Sequence, residues 1–123
     1  MKNVLLTCVL AVLAFACDQY TNIDIAGNWE VVELTEAGDS LAVDLTTIGF
    51  HFSEDGQYEF QSTLDYREAG TYRLDGPYLF STDTLKPPLR EKAVEITYLS
   101  LDTLHLRMKE LGKERLMVLQ RKS

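Results

Sequence analysis

Ile48-Gly49-Phe50-His51-Phe52-Ser53-Glu54-Asp55-Gly56-Gln57-Tyr58-Glu59-Phe60-Gln61 is the stretch whose reading decides the fold. Ile48, Phe50 and Phe52 alternate with Gly49, His51 and Ser53, and Tyr58 and Phe60 alternate with Glu59 and Gln61. A period of two puts every apolar side chain on one face of an extended strand. Glu54-Asp55-Gly56 lies between the two runs, and Asp-Gly between alternating hydrophobics is a strong hairpin signal.

Working outward, the same pattern recurs. Toward the N-terminus, Trp29 to Leu34 opens the series, followed by a looser stretch around Ala37-Gly38-Asp39-Ser40. Toward the C-terminus come Tyr72/Leu74, closed by Asp75-Gly76-Pro77, then Tyr78/Phe80. Pro87-Pro88 marks a loop, because neither residue can donate to a ladder. Val94/Ile96/Tyr98, Leu104/Leu106/Met108 and Leu116 to Leu119 complete eight expected strands. Leu104, Met108 and Leu111 also fit a helix face with Asp102 as N-cap, but Leu106 would fall off that face, so the strand is preferred.

Eight sequential antiparallel strands with one apolar face leave two open edges unless the sheet closes. The expected architecture is therefore all-β, a single eight-stranded antiparallel up-and-down barrel. A two-layer sandwich of the same strands is the alternative. The expected inward set is Trp29, Val31, Ile48, Phe50, Phe52, Tyr58, Phe60, Tyr72, Tyr78, Phe80, Ile96, Tyr98, Leu104, Leu106 and Met108. These can simply form a core. The tyrosines Tyr58, Tyr72, Tyr78 and Tyr98 would add hydroxyls to an apolar space, and apolar walls with a few polar points are how small-molecule sites are built. Phe52, Tyr58, Phe60, Tyr72, Tyr78, Phe80 and Tyr98 are accordingly the candidate ligand-binding residues.

The first residues are a separate object. Met1-Lys2-Asn3 is a basic start, Val4 to Phe15 is apolar apart from Thr7 and Cys8, and Ala14 and Ala16 flank Phe15 ahead of Cys17. That is the layout of a secretory signal peptide, too short to span a bilayer. Ordinary cleavage would leave a free Cys17. The alternative is a bacterial lipobox, Leu13-Ala14-Phe15-Ala16-Cys17, with lipid such as palmitate on Cys17. Cys8 leaves with the signal, so the mature chain keeps one Cys without an intramolecular partner, which favours lipidation in an oxidising compartment. The expected division is a cleaved signal peptide over 1–16, a lipidated tether over 17–26 and the barrel over 27–123.

At 123 residues, 46% of them hydrophobic, the chain suffices for one domain with its own core. Cleavage before Cys17 would leave 11 Lys and Arg against 19 Asp and Glu, a formal charge of −8. So acidic a chain argues against nucleic-acid binding and against polybasic attachment to anionic lipid. His51 and His105 fall on the polar phase of their strands, with no His/Cys cluster for a metal. No Gly-x-Ser-x-Gly elbow or Gly-rich phosphate loop is present. No cofactor, metal or catalytic residue is expected, and the reading is non-enzymatic.

Gly27-Asn28-Trp29, a Gly-x-Trp at the start of the first strand, carries a family resemblance. Phe52-Ser53-Glu54-Asp55-Gly56-Gln57-Tyr58, Gly70-Thr71-Tyr72 and Leu101-Asp102-Thr103-Leu104-His105-Leu106 fit the same pattern. The chain resembles the lipocalin-like small calycin-type β-barrels found in lipoproteins of Bacteroidetes. It is shorter than true lipocalins, lacks their C-terminal helix and carries no Thr-Asp-Tyr in the penultimate hairpins; the stretch from Leu34 to Thr46 leaves no room for the helical lid of fatty-acid-binding proteins. The resemblance implies that Gly27 and Trp29 sit at the closed end, with an Arg of the last strand over the indole. Arg121 is the first choice and Arg115 the next; otherwise Arg121 is a solvated terminal residue. With the lipobox before Cys17 and the inward tyrosines, the expected function is a lipid-anchored envelope protein, at the outer membrane, that binds a small hydrophobic or amphipathic ligand in the barrel mouth. The rival reading is an envelope interaction or inhibitor protein with a protein partner and a filled barrel.

Overall fold

A computed structural model describes residues 20–122, for Glu110 the backbone alone. The expected signal peptide and Cys17 lie outside the described residues. A four-residue helix, α1 (Asn22–Ile25), leads into β1 (Gly27–Glu36), β2 (Asp39–Ser40), β3 (Gly49–Phe52), β4 (Gln57–Gln61), β5 (Arg67–Asp75), β6 (Tyr78–Asp83), β7 (Glu91–Leu99), β8 (Thr103–Glu110) and β9 (Lys113–Arg121). All pairings are antiparallel between neighbours, and β1 also pairs with β9, which closes an eight-stranded barrel. Strand β2 is a short addition outside the ring, paired with the far end of β1.

Alternation does the sorting. Trp29, Val31, Ile48, Phe52, Tyr58, Tyr72, Ile96, Leu104 and Leu106 are buried, joined by Ile25, Leu34, Leu79, Met117 and Leu119. Register shifts by one residue between Val31 and Glu33, so Leu34 returns to the inside while Val32 stays out. Such bulges bend a strand and raise its twist.

Three expected inward residues face outward. Tyr72 and Leu74 point inward on β5, and the two-residue turn Gly76-Pro77 pairs Leu74 with Leu79 and Tyr72 with Ser81. Directly paired residues share a face, so Leu79 and Ser81 go inside, and Tyr78 and Phe80 go out. Tyr78 is 45% exposed, and the Arg73 guanidinium lies 4.1 Å from the Phe80 ring centre on the outer surface. Tyr98 is displaced by a bulge between Ile96 and Tyr98, which pairs it with outward His105 and leaves it 49% exposed. Leu99, opposite Leu104, takes the inward place.

The short helix ahead of β1 meets one end of the barrel. Thr21 caps α1 through a reciprocal capping box with Asp24. Ile25 is fully buried and its carbonyl accepts the Trp29 indole N–H at 2.8 Å. An isoleucine this apolar at the mouth of an open barrel end finds more burial as a plug than in a tether. Residues 22–25 thus pack as a short helix against this end of the barrel.

Candidate functional site

The two ends of the barrel differ in kind. At the first, β1 and β9 place Trp29 directly opposite Arg121. The Arg121 guanidinium carbon lies 4.3 Å from the indole centre, and the side chain donates to the carbonyls of Leu101 at 2.6 Å, Asp24 at 3.0 Å and Ala26. A cation on an aromatic face, its donors spent on three carbonyls, ties α1, β9 and the turn before β8 together. Arg115 lies at the other end of β9. Gly27 has φ +131°, a conformation that favours glycine, and a Cβ there would also displace the tip of the Arg121 guanidinium. Arg121→Ala is expected to cost about 1–3 kcal/mol of stability in urea unfolding, with Arg121→Lys recovering less than half because it has no planar fork.

The opposite end is open. A cavity of about 500 Å³ is walled by Phe50, Phe52, Phe60, Leu79, Val94, Leu106, Met108 and Met117. Its volume falls within the range of small-molecule sites. Phe50 and Phe60 pack at 4.5 Å between ring centres, and Phe52 meets Tyr72 edge-on at 5.1 Å. Polar groups are few and grouped. Glu68, 7% exposed, accepts from Tyr58 at 3.0 Å, Tyr66 at 2.7 Å and Lys92 at 3.2 Å. Across the cavity Arg115 donates to Glu36 at 3.0 Å, while its buried Nε has no partner in the described residues. Burial, and then the charge of Glu68, push the Tyr58 hydroxyl pKa upward. Burial with Asp55 and Glu54 pushes Tyr72 up to about 12. Both phenols thus stay protonated donors at physiological pH.

Of the candidate ligand-binding residues, Phe52, Tyr58 and Phe60 line this cavity. Tyr72 is buried deeper, donating to the Ser53 carbonyl. Tyr78, Phe80 and Tyr98 lie on the outer wall and belong to no part of the cavity, for the register reasons given above. Glu68 and Lys92 were not singled out from sequence, and Arg115 only as the second choice for the indole at the closed end, because charged residues on strands ordinarily face solvent. Their apolar-phase positions, Glu68 two before Gly70 and four before Tyr72, and Arg115 two before Met117, were the available signal. His51 meets Asn28 at 2.7 Å and His105 lies beside Tyr98, both outside the barrel. Among the described residues no three His, Cys, Asp or Glu side chains are placed to hold a metal ion.

No family model and no curated protein matches the chain. Among solved structures, a lipocalin-like protein from Bacteroides uniformis superposes with a TM-score of 0.60 at 20% identity, covering 80% of this chain and 99% of the other. With the closed ring of eight antiparallel strands, plugged at one end and hollow at the other, this likeness gives the chain a lipocalin-like fold.

Proposed function

We propose that this is a non-enzymatic, lipid-anchored binding protein of the cell envelope, at the outer membrane, that takes a small hydrophobic or amphipathic ligand into the open end of its barrel. The observation that carries the reading is the cavity of about 500 Å³ inside a lipocalin-like barrel, apolar on most of its wall. A filled barrel would pack those aromatics against one another without a void, since cores are packed to crystal density. The anchor rests on the sequence ahead of Cys17 and on that residue's lack of a cysteine partner.

Titrating the purified protein with fatty acids, sterols and haem is expected to give saturable binding by at least one class. Phe60→Ala, which widens the wall, and Ser81→Trp, which fills the cavity, should both alter it, the second by about tenfold or more. Absence of saturable binding across the panel would overturn the reading. Labelled palmitate should enter the wild-type chain in a lipoprotein-processing host and be lost in Cys17→Ala; equal labelling of both would remove the anchor.

A second reading draws on the outer wall, where Tyr78 exposes aromatic surface beside Phe80 and Tyr98 does so beside His105. Exposed aromatics are common anchors in protein interfaces. If the protein is instead an envelope interaction or inhibitor protein, pull-down yields one stoichiometric partner that Tyr78→Ser/Tyr98→Ser abolishes.

A further inference from the structure

The barrel wall is not continuous. Pairing between β7 and β8 runs from Leu99 opposite Leu104 to Glu95 opposite Arg107 and stops there. On the mouth side of that point, residues 91–94 of β7 pair only with β6, and residues 108–110 of β8 pair only with β9. The bulge at Thr97 adds twist to β7 within the paired stretch, and a bulged strand bends away from its partner's course. Ala93, Met108 and Lys109 consequently border both the internal cavity and an outer hollow shared with Tyr78, Glu95, Arg107 and Glu114. The cavity thus has a side slot as well as an open end.

The chemistry of the slot is asymmetric. Lys92 stands on the β7 lip and Lys109 on the β8 lip. Both border the cavity, with Arg115 and its unpartnered Nε behind them. Glu68 is the acid among the cavity-lining residues, and it is already engaged by Lys92 and two tyrosyl hydroxyls. Lys92 is still 61% exposed along its side chain, so its ammonium keeps donors for a partner besides Glu68. On the outer hollow Arg107 is ion-paired with Glu95, and Glu114 stands directly across the ladder from Lys109, with no ion pair between those two among the described contacts. The apolar floor lies directly inside, at Val94, Leu106, Met108 and Met117.

Resting on the ligand-binding reading above, we propose that the ligand is an anionic amphiphile that passes through the β7–β8 slot. Its apolar chain lies in the cavity and its anionic head is held between Lys92 and Lys109. The lips present cations to the head, the walls present methyl and phenyl groups to the chain, and a head left at the slot stays hydrated. A carboxylate or phosphate head meets the same lysines, so the class is defined by charge.

The test compares myristate, myristyl alcohol and myristyltrimethylammonium below their micellar concentrations, by calorimetry on the purified protein. Myristate is expected to bind about tenfold more tightly than the alcohol, and the cation most weakly, as befits charge-assisted contacts at a partly exposed site. Lys109→Glu should erase the preference for myristate while leaving the alcohol within about twofold. A matching loss in Lys92→Gln supports the same head position. Ala93→Trp, at an exposed position on the lip, should slow uptake of myristate and alcohol alike by about tenfold in stopped flow, with an unchanged unfolding midpoint.

Equal binding of myristate and its alcohol, or a preference for the cation, would overturn the anionic head and leave the ligand-binding reading standing. Unchanged uptake in Ala93→Trp would overturn passage through the slot. If none of the three binds, this proposal fails; the ligand-binding reading fails with it only if the sterols and haem are also refused.

Discussion

Trp29→Ala lowers the unfolding free energy by about 3–5 kcal/mol, the range for deleting a large buried aromatic. The side chain is 1% exposed and stands where three separate parts of the fold meet. Its indole N–H holds the last carbonyl of α1, and its face carries Arg121 of β9. Truncation therefore opens a void, leaves the Ile25 carbonyl without that donor, and removes the surface on which Arg121 rests. A domain of this size has only about 5–15 kcal/mol in total, so the variant should be near its threshold at 37 °C. Urea unfolding followed by circular dichroism measures the loss. Trp29→Phe keeps most of the packing and should fall between, about 1–2 kcal/mol below wild type. A loss below about 1 kcal/mol in Trp29→Ala would show that the closed end contributes little to stability.

Gly70→Ala is the second large effect, with an expected loss of at least about 3 kcal/mol, at or beyond the upper range for overpacking. A Cβ at Gly70 would overlap the Thr82 carbonyl oxygen and stand 3.0 Å from both Thr82 C and Thr84 N. All three neighbours are main-chain atoms, so no side chain can swing aside. The backbone φ at Gly70 is ordinary, which makes close approach and not conformation the reason for glycine. Relieving the contact means moving the end of β6 from β5, where Thr84 N–H donates to Ala69 O at 2.8 Å. That strand pair also carries Glu68 and Ser81 into the cavity. Gly70→Ala should then weaken ligand binding together with stability, and a variant with wild-type unfolding would show that the two strands are free to separate there.

The two positions had different standing in the sequence. Trp29 was identifiable through Gly27-Asn28-Trp29 and the alternation that follows it. Gly70 was visible only as part of Gly70-Thr71-Tyr72, because the atoms it must accommodate come from Thr82 and Thr84, on another strand. The candidate ligand residues divide along the same line. Phe52, Tyr58 and Phe60 flank a hairpin whose turn residues set their phase, and they reach the cavity. Tyr78 and Phe80 follow a two-residue turn that inverts their expected face, an inference available in principle from the inward placement of Leu74. Tyr98 was different, since a bulge is a choice between ways of pairing two strands and leaves no mark within the alternation from Val94 to Tyr98.

What the amino-acid order determined by itself was local: which segments extend, where they turn, and that each has one apolar face. Period-two alternation, Asp-Gly turns and paired prolines act within a few residues, where sterics and solvation suffice. Tertiary structure alone decided the register at each bulge, the plug made by Ile25, the ion pairs drawn inside the mouth, and the break in the wall between β7 and β8. Those depend on atoms brought together from distant parts of the chain, and closing the sheet is what settles which of several locally equal pairings buries the most surface.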